Sequence, residues 1–192
     1  LVNNQKLFHT FGTAFFMTDP SVQIRQAGPP DTDTIVSLSR TTFRETYGSQ
    51  NTQENMDIHL DEHFNLGKIR QELTDPVFRF YLSFLEGKPV GFMKLRSDRQ
   101  PRGVAQDRCL EIQRIYVLQE FQGASIGSEL MKMAKDIARR EGFSVVWLQV
   151  WQKNDRAIHF YQKSGFVIYE TSTFLLGREL QQDYLMRFDL YI

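Results

Sequence analysis

A single cysteine, Cys109, is all the thiol chemistry the 192-residue chain offers. It excludes an internal disulfide and most cysteine-based zinc sites, and fits a reducing, cytoplasmic compartment. The chain has no excess charge either: Lys+Arg and Asp+Glu are both 23, for a formal net charge of +0. Overall charge is thereby removed as the means of holding nucleic acid or anionic lipid. No apolar run approaches the ~20 residues needed to cross a bilayer, and neither internal repeats nor low-complexity linkers divide the sequence. What is present is ordinary for a globular domain, with 41% hydrophobic and 24% charged residues, and 16 phenylalanines that announce an aromatic core.

Residues 1–16 begin without Met, carry only Lys6 as a fixed positive charge and lack the apolar run of a secretory signal. They are expected to be a leader or extension outside the core, with Met17 a candidate start and residues 17–192 the domain; mass spectrometry of the native protein tests this.

Val22 to Arg25 alternates as a short strand, ended by Gly28-Pro29-Pro30. Asp31 to Tyr47 suits a helix capped by Asp31 or Asp33, Thr52 to Phe64 a second capped by Thr52, and Leu66 to Leu73 a third. Phe78 to Leu85 and Val90 to Leu95 form a hairpin turned by Gly87-Lys88-Pro89, and Cys109 to Val117 is the next strand. Ile126, Leu130, Met133, Ala134, Ile137 and Ala138 recur at helical spacing, with Gly142 as the C-terminal glycine. Val145 to Val150 is a strand, Asn154 caps a short helix stopped by Gly165, and Phe166–Tyr169 and Tyr184–Leu190 complete the sheet. Helices covering a mixed sheet predict one α/β domain.

Between the Cys109–Val117 strand and the longest helix lies Gln122-Gly123-Ala124-Ser125-Ile126-Gly127-Ser128. A small-residue turn at a helix N-terminus points unpaired N–H groups outward at the positive end of the macrodipole, which suits a phosphate or pyrophosphate. A plain strand-to-helix turn reads equally well from these residues alone. The Lys-Ser/Thr of a P-loop is missing, and no acidic ribose binder follows.

Ile115-Tyr116-Val117, Gln122-x-x-Ser125-x-Gly127 and Asn154-x-x-Ala157-x-x-Phe160-Tyr161-x-x-x-Gly165-Phe166 together resemble the Gcn5-related N-acetyltransferase (GNAT) family, across about residues 22–190. Ser125 stands where the family places a glycine. Glu45-Thr46, Asn51 to Met56, Leu110 to Val117 and Trp147 to Trp151 are similar to the PaiA-type bacterial spermidine/spermine acetyltransferases within that family.

The resemblance implies a mixed, mostly antiparallel sheet with helices on both faces and a splayed cleft for acetyl-CoA, with no metal. Backbone groups at Ile115, Tyr116 and Val117 would meet the pantetheine arm, amides from Gln122 through Gly123, Ala124, Ser125, Ile126, Gly127 and Ser128 the pyrophosphate, and Asn154 the pantetheine, although an N-cap role explains Asn154 as well. Tyr161 matches the group that protonates the departing thiolate; a core aromatic is its bland alternative. Glu111 matches a general base. Strand alternation places it on one side with Gln113 and Ile115. Some base is required, because an alkylammonium titrates near ~10.4 and cannot attack as such. A strand-edge salt bridge with Arg108 or Arg114 would also explain Glu111.

Glu54, Asp57, Asp61 and Glu62 share one face of the second predicted helix, where they would line a polyamine site or merely meet solvent. His59-Leu60-Asp61-Glu62-His63 fits a zinc-peptidase spacing without the acidic partner helix. Cys109 reads as a small buried hydrophobe and His159 as solvent-facing. The expected activity is direct acetyl transfer to a primary amine, a polyamine first. A peptide N-terminus, a lysine, another small amine, or a non-catalytic acyl-CoA sensor are the alternatives. The expected partners are small molecules, with no nucleic acid and no membrane, and a homodimer is left open.

Overall fold

The computed structural model describes residues 15–19, 22–105 and 108–190. Eight strands form one sheet: β1 (Phe15–Asp19), β2 (Val22–Gln26), β3 (Phe78–Leu85), β4 (Lys88–Arg96), β5 (Cys109–Val117), β6 (Val145–Trp151), β7 (Val167–Leu176) and β8 (Glu179–Asp189). Their spatial order is β1-β2-β3-β4-β5-β6-β8-β7, and among the described residues only the β5–β6 pair is parallel. The expected leader lies outside the described residues up to position 14, and β1 straddles the expected boundary after residue 16.

Helices α1 (Thr32–Tyr47), α2 (Gln53–His63) and α3 (Leu66–Thr74) lie on one side of the sheet, where Ile35, Leu38 and Ile69 meet Phe80, Leu82 and Phe92. On the other side α4 (Ile126–Arg140) packs Leu130, Met133, Ala134 and Ile137 against Met93, Leu95, Ile112 and Leu148, beside α5 (Asp155–Lys163). At about 1.5–3 kcal/mol for each large apolar side chain buried, this stripe fixes α4, and with it the loop in front of α4.

Several local expectations are corrected. Asp31 precedes α1 but makes no side-chain cap; its carboxylate is taken by Arg25, at 2.6 and 2.8 Å, and by the Gly28 amide. The β3–β4 turn is Glu86-Gly87, both at positive φ (49° and 76°), so Lys88 and Pro89 already belong to β4. β7 and β8 form a long hairpin, of which only the ends were expected. Leu175 (55%) and Leu180 (68%), paired with each other, are exposed where the hairpin extends beyond the β6–β8 ladder, which covers Asp183 to Asp189.

One irregularity sets the geometry of the sheet centre. In β5, Ile112 pairs with Leu95 and Arg114 with Lys94, so Gln113 is the extra residue of a bulge. The parallel β5–β6 ladder runs through Cys109, Leu110 and Glu111 and then ends. Beyond Glu111 the two strands part, β5 staying with β4 and β6 with β8.

Candidate active site

A cleft of about 480 Å³ opens where β5 and β6 separate. It is walled by Ile112 to Val117 on one side, by Gln149 and Val150 on the other, by the end of α1 above, and by the α4 loop and α5 at its mouth.

The loop is built for an anion. Gly123 adopts φ +98° with open space around it, and Ser125 is left-handed at φ 60°, ψ 0°, where an L residue costs roughly 1–2 kcal/mol. Ser125 offers no side-chain cap to α4. The first bond across the helix start runs from the Glu129 amide to Ser125 O, so the amides of Ile126, Gly127 and Ser128 have no intrahelical acceptor. Gln122, Gly123, Ser125, Gly127 and Ser128 line the cleft, whereas the Ile126 side chain is buried in the core at 1% exposure. Ala124 completes the turn through its amide on Phe121 O.

The strand edge is open as well. Leu118 N donates to Val90 O on β4. Alternation therefore turns the backbone groups of Val117 and Ile115 the other way, towards the cleft. The Val117 carbonyl is already engaged by Gln122 Nε2 at 2.9 Å, which ties the loop to the strand. The fit to an acetyl-CoA arm with its pyrophosphate at the α4 loop is good: an unladdered edge, unpaired amides and an elongated cleft coincide. Asn154 lines the same cleft with Oδ1 committed to the α5 cap on Ala157 N.

Three phenols meet in the gap. Tyr161 reaches it from α5, Tyr116 from β5 and Tyr47 from the end of α1. Burial raises all three above the ordinary tyrosine range, with the Tyr47 and Tyr116 phenols close enough to influence each other. Tyr161 therefore holds its proton at neutral pH.

Glu111 is placed differently from its expected setting. The bulge at Gln113 shifts the alternation, so Glu111 shares a face with Arg114 and Tyr116, while Ile115 and Val117 face α4 with Ile112. The expectation of Glu111 and Ile115 on one side fails for that reason. Glu111 sits at the foot of the gap, 3% exposed, ion-paired to Arg99 at 3.2 Å rather than to Arg108 or Arg114, and outside the cleft lining. Burial raises its carboxyl and Arg99 opposes the rise.

The acidic face of α2 also lies outside the lining. Glu54 pairs with Arg178, Asp57 with Arg44 and Asp61 with Arg40. His59 stacks on Phe43 at 4.4 Å and is pushed down to about 3, chiefly by burial. No three His, Cys, Asp or Glu side chains are grouped to hold a metal among the described residues. Cys109 is buried with Val145, Trp147 and Leu185, and His159 is exposed.

Sequence reasoning missed Tyr47 and Gln149 as cleft-lining residues, and with Gln149 its partner Asp183, which lies behind the lining. Gln149 lines the cleft and donates to Asp183 Oδ2 at 2.9 Å. Burial pushes Asp183 up to about 6, against the lowering effect of that bond. Arg114 also lines the cleft, its guanidinium 4.4 Å above the Phe64 ring, with Nη1 buried and unpartnered. A polar residue inside a strand carries no sequence signal for such a role; only the pairing of β6 with β8 assembles it.

Residues 34–166 match the family model for acetyltransferases of the GNAT family. An uncharacterised N-acetyltransferase of Lactobacillus delbrueckii subsp. lactis is 32% identical over 86% of this chain and 96% of its own length. A spermidine N(1)-acetyltransferase of Thermoplasma acidophilum is 23% identical over 84% of this chain and 99% of its own. In fold, the chain is similar to the crystal structure of the PaiA N-acetyltransferase of Thermoplasma acidophilum in complex with coenzyme A, with a TM-score of 0.74, 22% identity, and coverage of 88% of this chain and 99% of the other.

Proposed function

The chain belongs to the GNAT acetyltransferase family, and we propose that it moves the acetyl group of acetyl-CoA directly onto a primary amine, with a polyamine as acceptor. The observation that carries this reading is the gap between β5 and β6 beyond Glu111, with unpaired amides at its mouth. Bound acetyl-CoA supplies an activated thioester. The chain supplies the α4 amides for the pyrophosphate, the Ile115 and Val117 backbone for the arm, and a strand amide near Tyr116 that polarises the carbonyl. Tyr161, kept protonated by burial, gives its proton to the departing sulfur. The cleft lining contains no cysteine, which supports direct transfer over a thiol acyl-enzyme.

The spermidine acetyltransferase of Thermoplasma acidophilum supports a polyamine. Glu45 at the cleft rim supports it too, whereas the acids of α2 would have to release their arginines to take part. Arg114 favours a second reading, an amine that also bears a carboxylate, such as a free amino acid or a short peptide. The test is an acceptor panel with thiol release and product mass as readouts. Spermidine or spermine should react fastest. Turnover of peptides or amino acids without polyamines overturns the acceptor, and tight acetyl-CoA binding without turnover of any amine overturns the enzymatic reading in favour of a sensor.

A further inference from the structure

Three acidic side chains are buried among the described residues: Glu72, Glu111 and Asp183. Glu72 holds Lys94 at 2.8 Å and Glu111 holds Arg99 at 3.2 Å. Asp183, 5% exposed, holds no cation; Oδ2 accepts from Gln149, and Oδ1 is buried without a partner. An unpaired buried carboxylate is costly unless something supplies the opposite charge.

Its position shows where that charge comes from. Register pairs Asp183 with Trp151, so its side chain shares the face of Trp147, Gln149 and Trp151 and the side of the sheet occupied by α1. Asp183 is itself outside the cleft lining, but Gln149, which is part of the cleft wall, bonds to it, and the Tyr47 ring packs on Trp151 at 5.8 Å. The groups facing it are Gln149 and Trp151 from β6, Ser172 from β7, Tyr47 from α1 and Tyr116 from β5, and Asn51, before α2, holds the neighbouring Gln181. None of these is a cation.

We propose that Asp183 is the carboxylate that draws the acceptor's ammonium group into the cleft and takes its proton, directly or through one bridging water. This rests on the amine-acetylation reading above. The ammonium gives one proton to Asp183, and the freed nitrogen pair attacks the thioester carbon. A C–N bond forms and the C–S bond breaks, the sulfur leaving with the Tyr161 proton. The second nitrogen proton restores the phenol, and Asp183 releases its own to solvent. Glu111, occupied by Arg99, is then a structural anchor at the foot of the gap.

Asp183→Asn retains a carbonyl for the Gln149 bond while removing the charge. For the polyamine substrate, kcat/KM should fall about 100-fold or more at pH 7 and recover towards pH 10 as the amine ionises unaided. By calorimetry, spermidine binding to the CoA-loaded protein should weaken at least about tenfold, while acetyl-CoA affinity stays within about twofold. Gln149→Leu, which keeps the carboxylate but removes the bond that lowers its pKa, should shift the acid limb of the pH profile upward. Glu111→Gln should leave the shape of the profile unchanged. An Asp183→Asn profile parallel to wild type, or a pH-dependent loss found in Glu111→Gln instead, overturns the assignment alone. Wild-type protein that acetylates no amine overturns the underlying reading and the assignment with it.

Discussion

Gly91 sits on β4 opposite Val117, where β5 turns its free edge to the cleft. A Cβ at this position would lie 2.6 Å from Tyr116 O, 2.9 Å from Ser83 Oγ and 3.2 Å from Val117 Cα. Carbon and carbonyl oxygen settle at about 3.3–3.6 Å, so Gly91→Ala must push the Tyr116–Val117 segment away by roughly 0.7–1 Å. Backbone is the obstacle, and no side-chain rotation relieves it. Overpacking of this kind costs about 1–3 kcal/mol. At about 2–4 °C per kcal/mol for a chain of this length, the melting midpoint falls by roughly 2–12 °C.

The functional loss follows from direction. The displaced residues move into the edge proposed to receive the cofactor arm, and a 1 Å misplacement of reacting groups can cost about 100-fold. Gly91→Ala should therefore lower kcat/KM for acetyl-CoA by about 10- to 100-fold and weaken acetyl-CoA binding in calorimetry. Gly48→Ala is the control: Gly48 has helical φ −63° and no atom within 4 Å of the added carbon, and alanine there should stabilise by about 0.4–1 kcal/mol. If Gly91→Ala melts with wild type and binds acetyl-CoA equally well, the β4–β5 spacing does not set the cofactor edge.

Tyr161→Phe should lower kcat by about 100-fold or more while leaving acetyl-CoA affinity nearly unchanged; unaltered turnover would remove the phenol from the chemistry. Ser125→Gly should relieve the left-handed strain and raise the melting midpoint by about 2–4 °C, without loss of acetyl-CoA affinity; a lower midpoint would mean that the serine side chain stabilises the loop. Asp183, pushed up to about 6 from an ordinary 3.8, carries stability that is complete below about pH 4 and is lost as pH rises through 6, a loss of roughly 3 kcal/mol. Asp183→Asn should accordingly be the more stable protein in denaturant titrations at pH 8, with the difference shrinking towards pH 4, and a gap of constant size would contradict the burial.

The elements legible in the sequence are those whose burial imposes a period. α4 presents one continuous apolar stripe and β6 an almost unbroken apolar run, while β5 stands out as a strand between the polar 97–108 loop and the small-residue turn, so their limits match closely. The β7–β8 hairpin is legible only at its ends, because the edge strand β7 exposes alternate residues to solvent and its polar tract looks like loop. Asp31 or Asp33 suits a cap on residue type alone, but Asp33 lies inside the first turn of α1, and Arg25 on a neighbouring strand takes the Asp31 carboxylate with two charge-assisted bonds.

The two halves of the site differ in kind. Cofactor recognition, as proposed, is contiguous and made of backbone: the amides of Ile126, Gly127 and Ser128 are free because a helix begins there, while those of Gln122 and Ala124 close the preceding turn on Gln119 O and Phe121 O, and this depends little on which small residue stands at 125. It can be found by spacing, even with a serine in a glycine's place. Acceptor recognition, as proposed, draws on side chains lining the cleft from α1, β5 and β6 and on Asp183 of β8 behind Gln149, and which of them face one another depends on strand parity. One extra residue at Gln113 reverses that parity, so counting by twos from Ile115 puts Glu111 on the wrong face. β8 enters the sheet beside β6 only through a hairpin that the sequence half conceals, and the carboxylate it brings is invisible until the pairing is known. Family resemblance therefore constrains what this protein binds as donor far more tightly than what it accepts, and under the acceptor assignment proposed above specificity diverges at side chains such as Arg114, Gln149 and Asp183.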